Sequence, residues 1–355
     1  MSNNHGNRKE KIQAIFGVTL TILFFIAMFF AFASLGNTEE MAGFCTQTAS
    51  NLFAACKAGV TDDQLVTKAN CINISDAAAR SECLGDAEDT QKEDLKLCRD
   101  QRDWRLDACK LLGEDRYDPQ IDPANFESDY THLQNPNPFF PLTIGNTWKY
   151  KSSDGETNIV EATSQTKLIE GVTCIVLRDK VFADGFLQEN TDDWFCQAKD
   201  KTTWYFGEEV KDYEVFDGDK PKRPELVEIS GSFKAGRDNS KPGIIFLPNP
   251  KKGDVYLEEF SLGNAEDLTQ ILSTNYSFGK NANLDRFVPQ QLANRFCHDD
   301  CVVTRNISLL EPGVEERKYY TRGIGVFLEV ELTNGVSIPL IDCNFDSRCQ
   351  GLPTP

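Results

Sequence analysis

The chain departs first from polar patterning in an apolar run that begins at Ala14 and ends at Leu35, AIFGVTLTILFFIAMFFAFASL. Its 22 positions hold no charged residue, and a helix of that length spans roughly 33 Å, the thickness of a bilayer core. Arg8, Lys9 and Lys11 precede it, and Glu39 and Glu40 follow. The positive-inside rule therefore keeps residues 1–13 in the cytoplasm and exports the rest. A cleaved signal peptide is the competing reading, because Ala31-Phe32-Ala33 has the form of a cleavage site. The run exceeds the usual signal core, which favours an uncleaved anchor. Either way, the bulk of the chain is expected outside the cytoplasm.

Over residues 38–113 the pattern turns helical: Ala, Leu, Glu, Lys, Asp and Arg dominate and proline is absent. Thr61 with Gln64 forms a capping box, and Ser75 is a second candidate N-cap. Gly59 and the stretch Asn70-Cys71-Ile72-Asn73-Ile74 are poor helix formers. The pattern predicts a helix ending before Gly59, a short one from Asp62, and a long one over residues 76–112 closed by Gly113. Residues 114–137 carry prolines and many acids without periodicity, and predict an extended, solvated linker.

From residue 138 the pattern becomes one of short aromatic and β-branched runs separated by turns. Asp154-Gly155, Asp184-Gly185, Asp217-Gly218 and Asn334-Gly335 are hairpin turns by type. Strands are expected over 146–151, 157–163, 172–182, 193–198, 202–206, 225–230, 302–309, 316–321, 325–332 and 336–341. Pro339 marks the last as an edge strand. Residues 264–272 form the one stretch with helical texture. The fold class is α+β: an N-terminal transmembrane helix, a disulfide-linked helical hairpin, then an antiparallel β-rich domain over 138–349, an open barrel or wrapped sheet, with a tail over 350–355.

The cysteines sharpen this picture. All twelve lie beyond residue 44, on the exported side, which fits an oxidising compartment and six bridges. None directly follows the apolar run, so a lipoprotein anchor is excluded. Cys45, Cys56, Cys71, Cys83, Cys98 and Cys109 are separated by 11, 15, 12, 15 and 11 residues, a palindrome. Eleven helical residues turn about 1100°, about 20° past three full turns, so Cys45 and Cys56 share a face, as do Cys98 and Cys109. Two antiparallel helices folded near residue 77 would bring these together as rungs. The nested set Cys45–Cys109, Cys56–Cys98 and Cys71–Cys83 is favoured among the connectivities. The hairpin would then be a stiff stand-off between bilayer and β-domain. Each half is similar in geometry to the paired-cysteine helices of coiled-coil-helix-coiled-coil-helix proteins. Cys174 and Cys196 flank the Asp184-Gly185 turn almost symmetrically and are expected to pair. Cys297, Cys301, Cys343 and Cys349 pair among themselves in an order the spacing leaves open.

A net charge of −18 argues against nucleic acid and anionic lipid surfaces as partners. Asp115, Asp118, Asp122, Glu127 and Asp129 lack the spacing of a calcium loop, and Cys297-His298-Asp299-Asp300-Cys301 lacks a second histidine, so neither a metal nor a cofactor is expected. Asn73-Ile74-Ser75, Asn275-Tyr276-Ser277 and Asn306-Ile307-Ser308 are glycosylation acceptors in a eukaryotic host. Three histidines exist, and His132 and His298 are the two on the exported side. Neither suits a nucleophile–histidine site. Glu208-Glu209, Glu258-Glu259 and Glu266-Asp267 are candidates by type for paired-carboxylate hydrolysis.

A resemblance adds to this reading. The run Pro138-Phe139-Phe140-Pro141-Leu142-Thr143-Ile144-Gly145-Asn146-Thr147-Trp148-Lys149-Tyr150 resembles the opening strand of a family of bacterial exported proteins of unassigned function. Trp204-Tyr205-Phe206-Gly207-Glu208, Lys241-Pro242-Gly243-Ile244-Ile245, Leu310-Glu311-Pro312-Gly313 and Tyr319-Tyr320-Thr321-Arg322-Gly323-Ile324-Gly325 are similar to it as well. The resemblance implies no reaction and no catalytic residue. The expected function is binding by a membrane-anchored or secreted, non-enzymatic protein. Its partners would be the membrane through the Ala14 to Leu35 run, and an envelope protein, a glycan or an apolar ligand. A hydrolase of extracellular polymer is the alternative.

Overall fold

The computed structural model describes residues 43–355, so the apolar run over 14–35 lies outside the described residues. Among the described residues no helix is long and apolar enough to cross a membrane.

Two helices open the described residues, α1 (Phe44–Ile72) and α2 (Ala77–Leu112). They form the nested ladder, with Cys45–Cys109, Cys56–Cys98 and Cys71–Cys83 bridged at Cα separations of 5.7, 5.7 and 5.6 Å. The expected break at Gly59 is absent. Thr61 does not cap a new helix; its hydroxyl donates to the Lys57 carbonyl within α1. One interior glycine costs a helix about 1 kcal/mol, less than the rungs on either side supply. The second N-cap is Asp76 rather than Ser75, its carboxylate accepting from Ala79 N at 2.8 Å.

Where the chain enters and leaves the hairpin corrects the stand-off expectation. Phe44 N donates to the Glu114 carbonyl at 3.0 Å, and the Glu114 carboxylate accepts from Thr46 N at 2.9 Å. Residue 114 thus caps the helix that begins at residue 44, favourably placed at its positive end. An antiparallel pair returns to its start, so the hairpin adds no separation between residue 43 and the body. It projects as an arm.

The body is a sheet of sixteen strands. A meander comes first: β1 (Thr147–Lys151), β2 (Thr157–Ile169), β3 (Val172–Ala183), β4 (Phe186–Gln197) and β5 (Thr203–Glu209). β6 (Asp212–Glu214) and β7 (Glu225–Glu228) make a side hairpin on β4, and β8 (Phe233–Lys234) pairs with β5. Then come β9 (Lys241–Phe246), β10 (Val255–Leu257), β11 (Glu259–Phe260) and β12 (Asp267–Tyr276). A short helix, α3 (Gln290–Phe296), precedes β13 (Cys301–Ser308), β14 (Glu316–Thr321), β15 (Gly325–Glu331) and β16 (Ser337–Cys343).

The antiparallel path runs β10-β12-β13-β14-β15-β16-β1-β2-β3-β4-β5-β9-β11. Its two ends, β10 and β11, are consecutive in the chain and separated by Glu258 alone. One continuous stretch therefore pairs with β12 on one side of Glu258 and β9 on the other, and the sheet becomes a nearly closed barrel. Gly243 makes the seam possible: a Cβ there would lie 2.0 Å from the Glu258 carbonyl oxygen.

Three further expectations change. Residues 264–272 are not helical; most of them lie in β12, where Leu268 and Ile271 are buried. The helix is α3, which follows Pro289 and buries Leu292, Ala293 and Phe296. β16 is no edge strand. Its residues 337–339 pair with β15 and residues 340–343 with β1, so Pro339 sits where the strand passes from one neighbour to the other. Of the expected hairpin dipeptides, Asp184-Gly185 has both φ angles positive, as a type I′ turn requires. Glu170-Gly171, joining β2 to β3, does the same without being a typical hairpin dipeptide.

Residues 114–137 are a strap, not a solvated linker. Phe126, Tyr130 and Asn137 are buried, the Tyr117 hydroxyl donates to the Pro242 carbonyl at 2.8 Å, and Asn137 N donates to Gln197 Oε1 at 2.8 Å. The acids there serve local ends: Asp122 and Asp129 accept from Ala124 N and Thr131 N, and Asp118 pairs with Lys241. The remaining bridges are Cys174–Cys196 across β3 and β4, and two short loops, Cys297–Cys301 and Cys343–Cys349. Asn306 is buried, its Nδ2 donating to Glu258 and Thr269, so its sequon is closed in the folded chain.

Candidate functional site

Side chains two residues apart on a strand share a face. On the inner face of the barrel this brings together Trp148 and Tyr150 of β1, Asn158 and Val160 of β2, Leu177 and Asp179 of β3, and Asp193 and Phe195 of β4. The lining continues with Ile245 of β9, Lys318 and Tyr320 of β14, Val326 and Glu329 of β15, and Ile338 of β16. They line a half-open cavity of about 290 Å³. Trp148 and Tyr150 are fixed by their polar ends: Trp148 Nε1 donates to the Ile324 carbonyl at 2.7 Å and the Tyr150 hydroxyl to that of Val326 at 3.0 Å. Their apolar faces are left for the cavity.

One part of the wall is charged. Lys318 stands opposite Glu329, Nζ to Oε2 3.7 Å. Burial works against its charge, but Glu329, Glu258 and Glu316 together hold it well above the usual lysine range. Asn158 Nδ2 donates to Asp179 Oδ2 at 3.2 Å. Burial first, and the neighbouring Asp193 second, push the Asp179 carboxyl up to about 8. Burial likewise pushes Asp193 up to about 7, opposed by the hydroxyl it accepts from Tyr205. Asp179 Oδ1 and Asn158 Oδ1 are buried and have no hydrogen-bond partner among the described residues.

Beside Asp193 the acids continue onto the neighbouring strands. Glu208 stands opposite Asp193 in register, and burial raises Glu208 and Glu259 well above the usual carboxylate range, with Asp193 and Asp267 adding in the same direction. Glu208, Glu259 and Asp267 are among the carboxylates nominated from sequence, but in different partnerships. Neighbours along a strand face opposite ways, so Glu208 turns inward beside Asp193 and leaves Glu209 exposed, paired with Lys211. Glu258 is held by Thr269 and Asn306. Glu266 is taken by Arg105 of α2 in a buried two-pronged pair at 2.8 and 2.9 Å, which fixes the arm to the body and removes that carboxylate from chemistry. His132 is exposed against Asp129, and exposed His298 lies in the Cys297–Cys301 loop. Among the described residues no group of three or more His, Cys, Asp or Glu is arranged to hold a metal ion.

A second concavity, about 320 Å³, lies between α1 and α2. Asp63, Glu82, Asp86 and Asp94 line it together with Val60 and Ala87. It is no smaller than the barrel cavity, so volume does not choose between them. Chemistry does: the barrel cavity has aromatic walls and enclosed acceptors without partners, whereas the groove is a channel between two acid-rich helices.

Comparison of the chain with protein-family models, curated proteins and solved structures returns no match.

The sequence reading passed over Asn158, Asp179, Asp193, Lys318 and Glu329. A signal existed. Asp179 is two residues from Leu177, Asp193 two from Phe195, and Lys318 two from Tyr320, so each charge stands in phase with a core residue instead of alternating with it.

Proposed function

We propose that the chain is an extracytoplasmic binding protein, not an enzyme, whose barrel cavity takes a small ligand of largely apolar body. The observation that carries this reading is the cavity of about 290 Å³ walled by Trp148, Phe195, Ile245, Tyr320 and Val326, the mix of apolar walls and few polar groups typical of small-molecule sites. Six bridges with no free cysteine among the described residues support an oxidising compartment. The run from Ala14 to Leu35 supports a membrane anchor, with secretion after cleavage near Ala33 as the alternative. Calorimetric titration of the full chain in nonionic detergent with phenethyl alcohol tests the cavity. Saturable one-to-one binding that Val326→Phe abolishes is expected. Heats no different from a detergent blank for phenethyl alcohol and for its amine and acid analogues alike would defeat it.

A hydrolase remains the second reading, favoured by one observation: Asp179 and Asp193 share a cavity wall with carboxyls raised to about 8 and about 7. Turnover of nitrophenyl glycosides that disappears in Asp193→Asn would establish it. Intact binding without turnover would leave the binder.

A further inference from the structure

The charges in the cavity wall restrict what the ligand can be. Three acids line it, Asp179, Asp193 and Glu329, against one base, Lys318. That base is already matched by Glu329 at 3.7 Å, with Glu258 and Glu316 adding further negative charge around it. An anionic head would therefore find no unmatched base in the wall. Asp179 Oδ1 and Asn158 Oδ1 are enclosed acceptors that nothing among the described residues satisfies, and a buried polar atom left unpaired is costly. Their partner atoms are used on each other through Asn158 Nδ2 and Asp179 Oδ2, so with Asp179 ionised what this corner lacks is hydrogen-bond donors. Trp148, Tyr150, Phe195 and Tyr320 stand in the same wall, and aromatic faces attract a cation that has lost its water.

We propose that the cavity selects an amphipathic amine, its apolar body against the aromatic wall and its protonated amino head against Asp179 and Asn158. The inference rests on the cavity being a ligand site. An ammonium supplies three donors and no acceptor, matching acceptors that are themselves unpaired. Burial and Asp193 keep Asp179 protonated around neutrality in the empty protein. A cation beside it reverses that balance, so the carboxyl gives its proton to water as the amine docks.

The test is a charge series of one shape: phenethylamine, phenethyl alcohol and hydrocinnamate, titrated by calorimetry into the full chain in nonionic detergent. The amine is expected to bind about tenfold or more tighter than the alcohol, with the acid weakest. Asp179→Asn keeps the shape of the side chain and is expected to bring amine and alcohol within about threefold of each other. Circular dichroism checks that this variant folds, and Val326→Phe, which fills the cavity without touching the charges, is expected to abolish all three. Alcohol or acid binding as tightly as the amine would overturn the proposal, as would an amine preference that survives Asp179→Asn. If none of the three binds, the cavity reading itself fails, an outcome distinct from binding in the wrong order.

Discussion

The arm and the barrel bury their chain by different means. Along α1 and α2 the buried positions are mainly cysteines and small residues: Ala49, Cys71, Ala87, Cys98, Ala108 and Cys109. Leu65 and Ile72 are left exposed. A pair of helices so thin has little apolar surface to remove from water, and covalent rungs replace the missing core. The barrel instead buries Phe139, Phe206, Phe246, Phe296, Tyr319, Tyr320 and Phe327 almost completely, and uses that stability to hold carboxyls in a neutral form water would not allow. A region held by bridges has nothing to spare for strained chemistry. A region held by a core does, which is why the unpaired acceptors lie in the barrel.

The largest expected effect lies where the two regions join. Arg105→Ala leaves Glu266 buried without its counter-charge, its side chain 4% exposed, at a cost of about 3–5 kcal/mol in chemical denaturation. Replacing both residues with methionine is expected to restore most of it. If the single variant is as stable as the parent, the pair does not fix arm to barrel.

Next is the Cys56–Cys98 rung. Serine at both positions is expected to cost the arm about 2–4 kcal/mol, lowering the denaturant midpoint of the helical signal and leaving the aromatic near-ultraviolet signal of the barrel in place. Loss of both signals together would show that the regions do not differ as described.

Acidity separates them in a third way. Folded Asp179 holds its proton up to about 8, while the unfolded chain holds it to about 4. Between those limits the folded state binds more protons, so this contribution is full below about pH 4 and is lost as the pH rises towards 8. Asp193 and Glu258, raised to about 7, act in the same direction. The barrel is expected to melt at a lower temperature near pH 8 than near pH 5, with a shallower slope in Asp179→Asn. A melting temperature that rises over this range would contradict the burial of these acids.

The smallest effect is Gly59→Ala. No atom lies within 4 Å of the Cβ it would add, so stabilisation by about 0.5–1 kcal/mol is expected. Destabilisation would mean that α1 is broken there after all.

The same contrast explains what the sequence made legible. The ladder could be read because eleven-residue spacing and helical geometry leave few ways to pair six cysteines, and most strands announced themselves through β-branched and aromatic runs. Gly59 misled because local propensity says nothing of rungs formed with residues more than forty positions away, as Cys56–Cys98 is. β9 to β12 were missed because their pairing is set by the seam at Glu258 and Gly243, a contact between distant parts of the chain. The acids of the site were missed because an acidic chain of net charge −18 makes each one look solvated. Their phase relative to Leu177, Phe195 and Tyr320 was the contrary sign, and it becomes meaningful once the strand faces are known.

The two concavities, one in each region, give the comparison its decisive test. Methyl-labelled NMR of the full chain with phenethylamine places a probe in each: Leu177, Ile245, Ile324 and Ile338 line the barrel cavity, and Val60 lines the groove of the arm. Saturable shifts of the barrel methyls are expected, with Val60 unmoved. Shifts at Val60 alone, or none in the barrel at saturating amine, would contradict it.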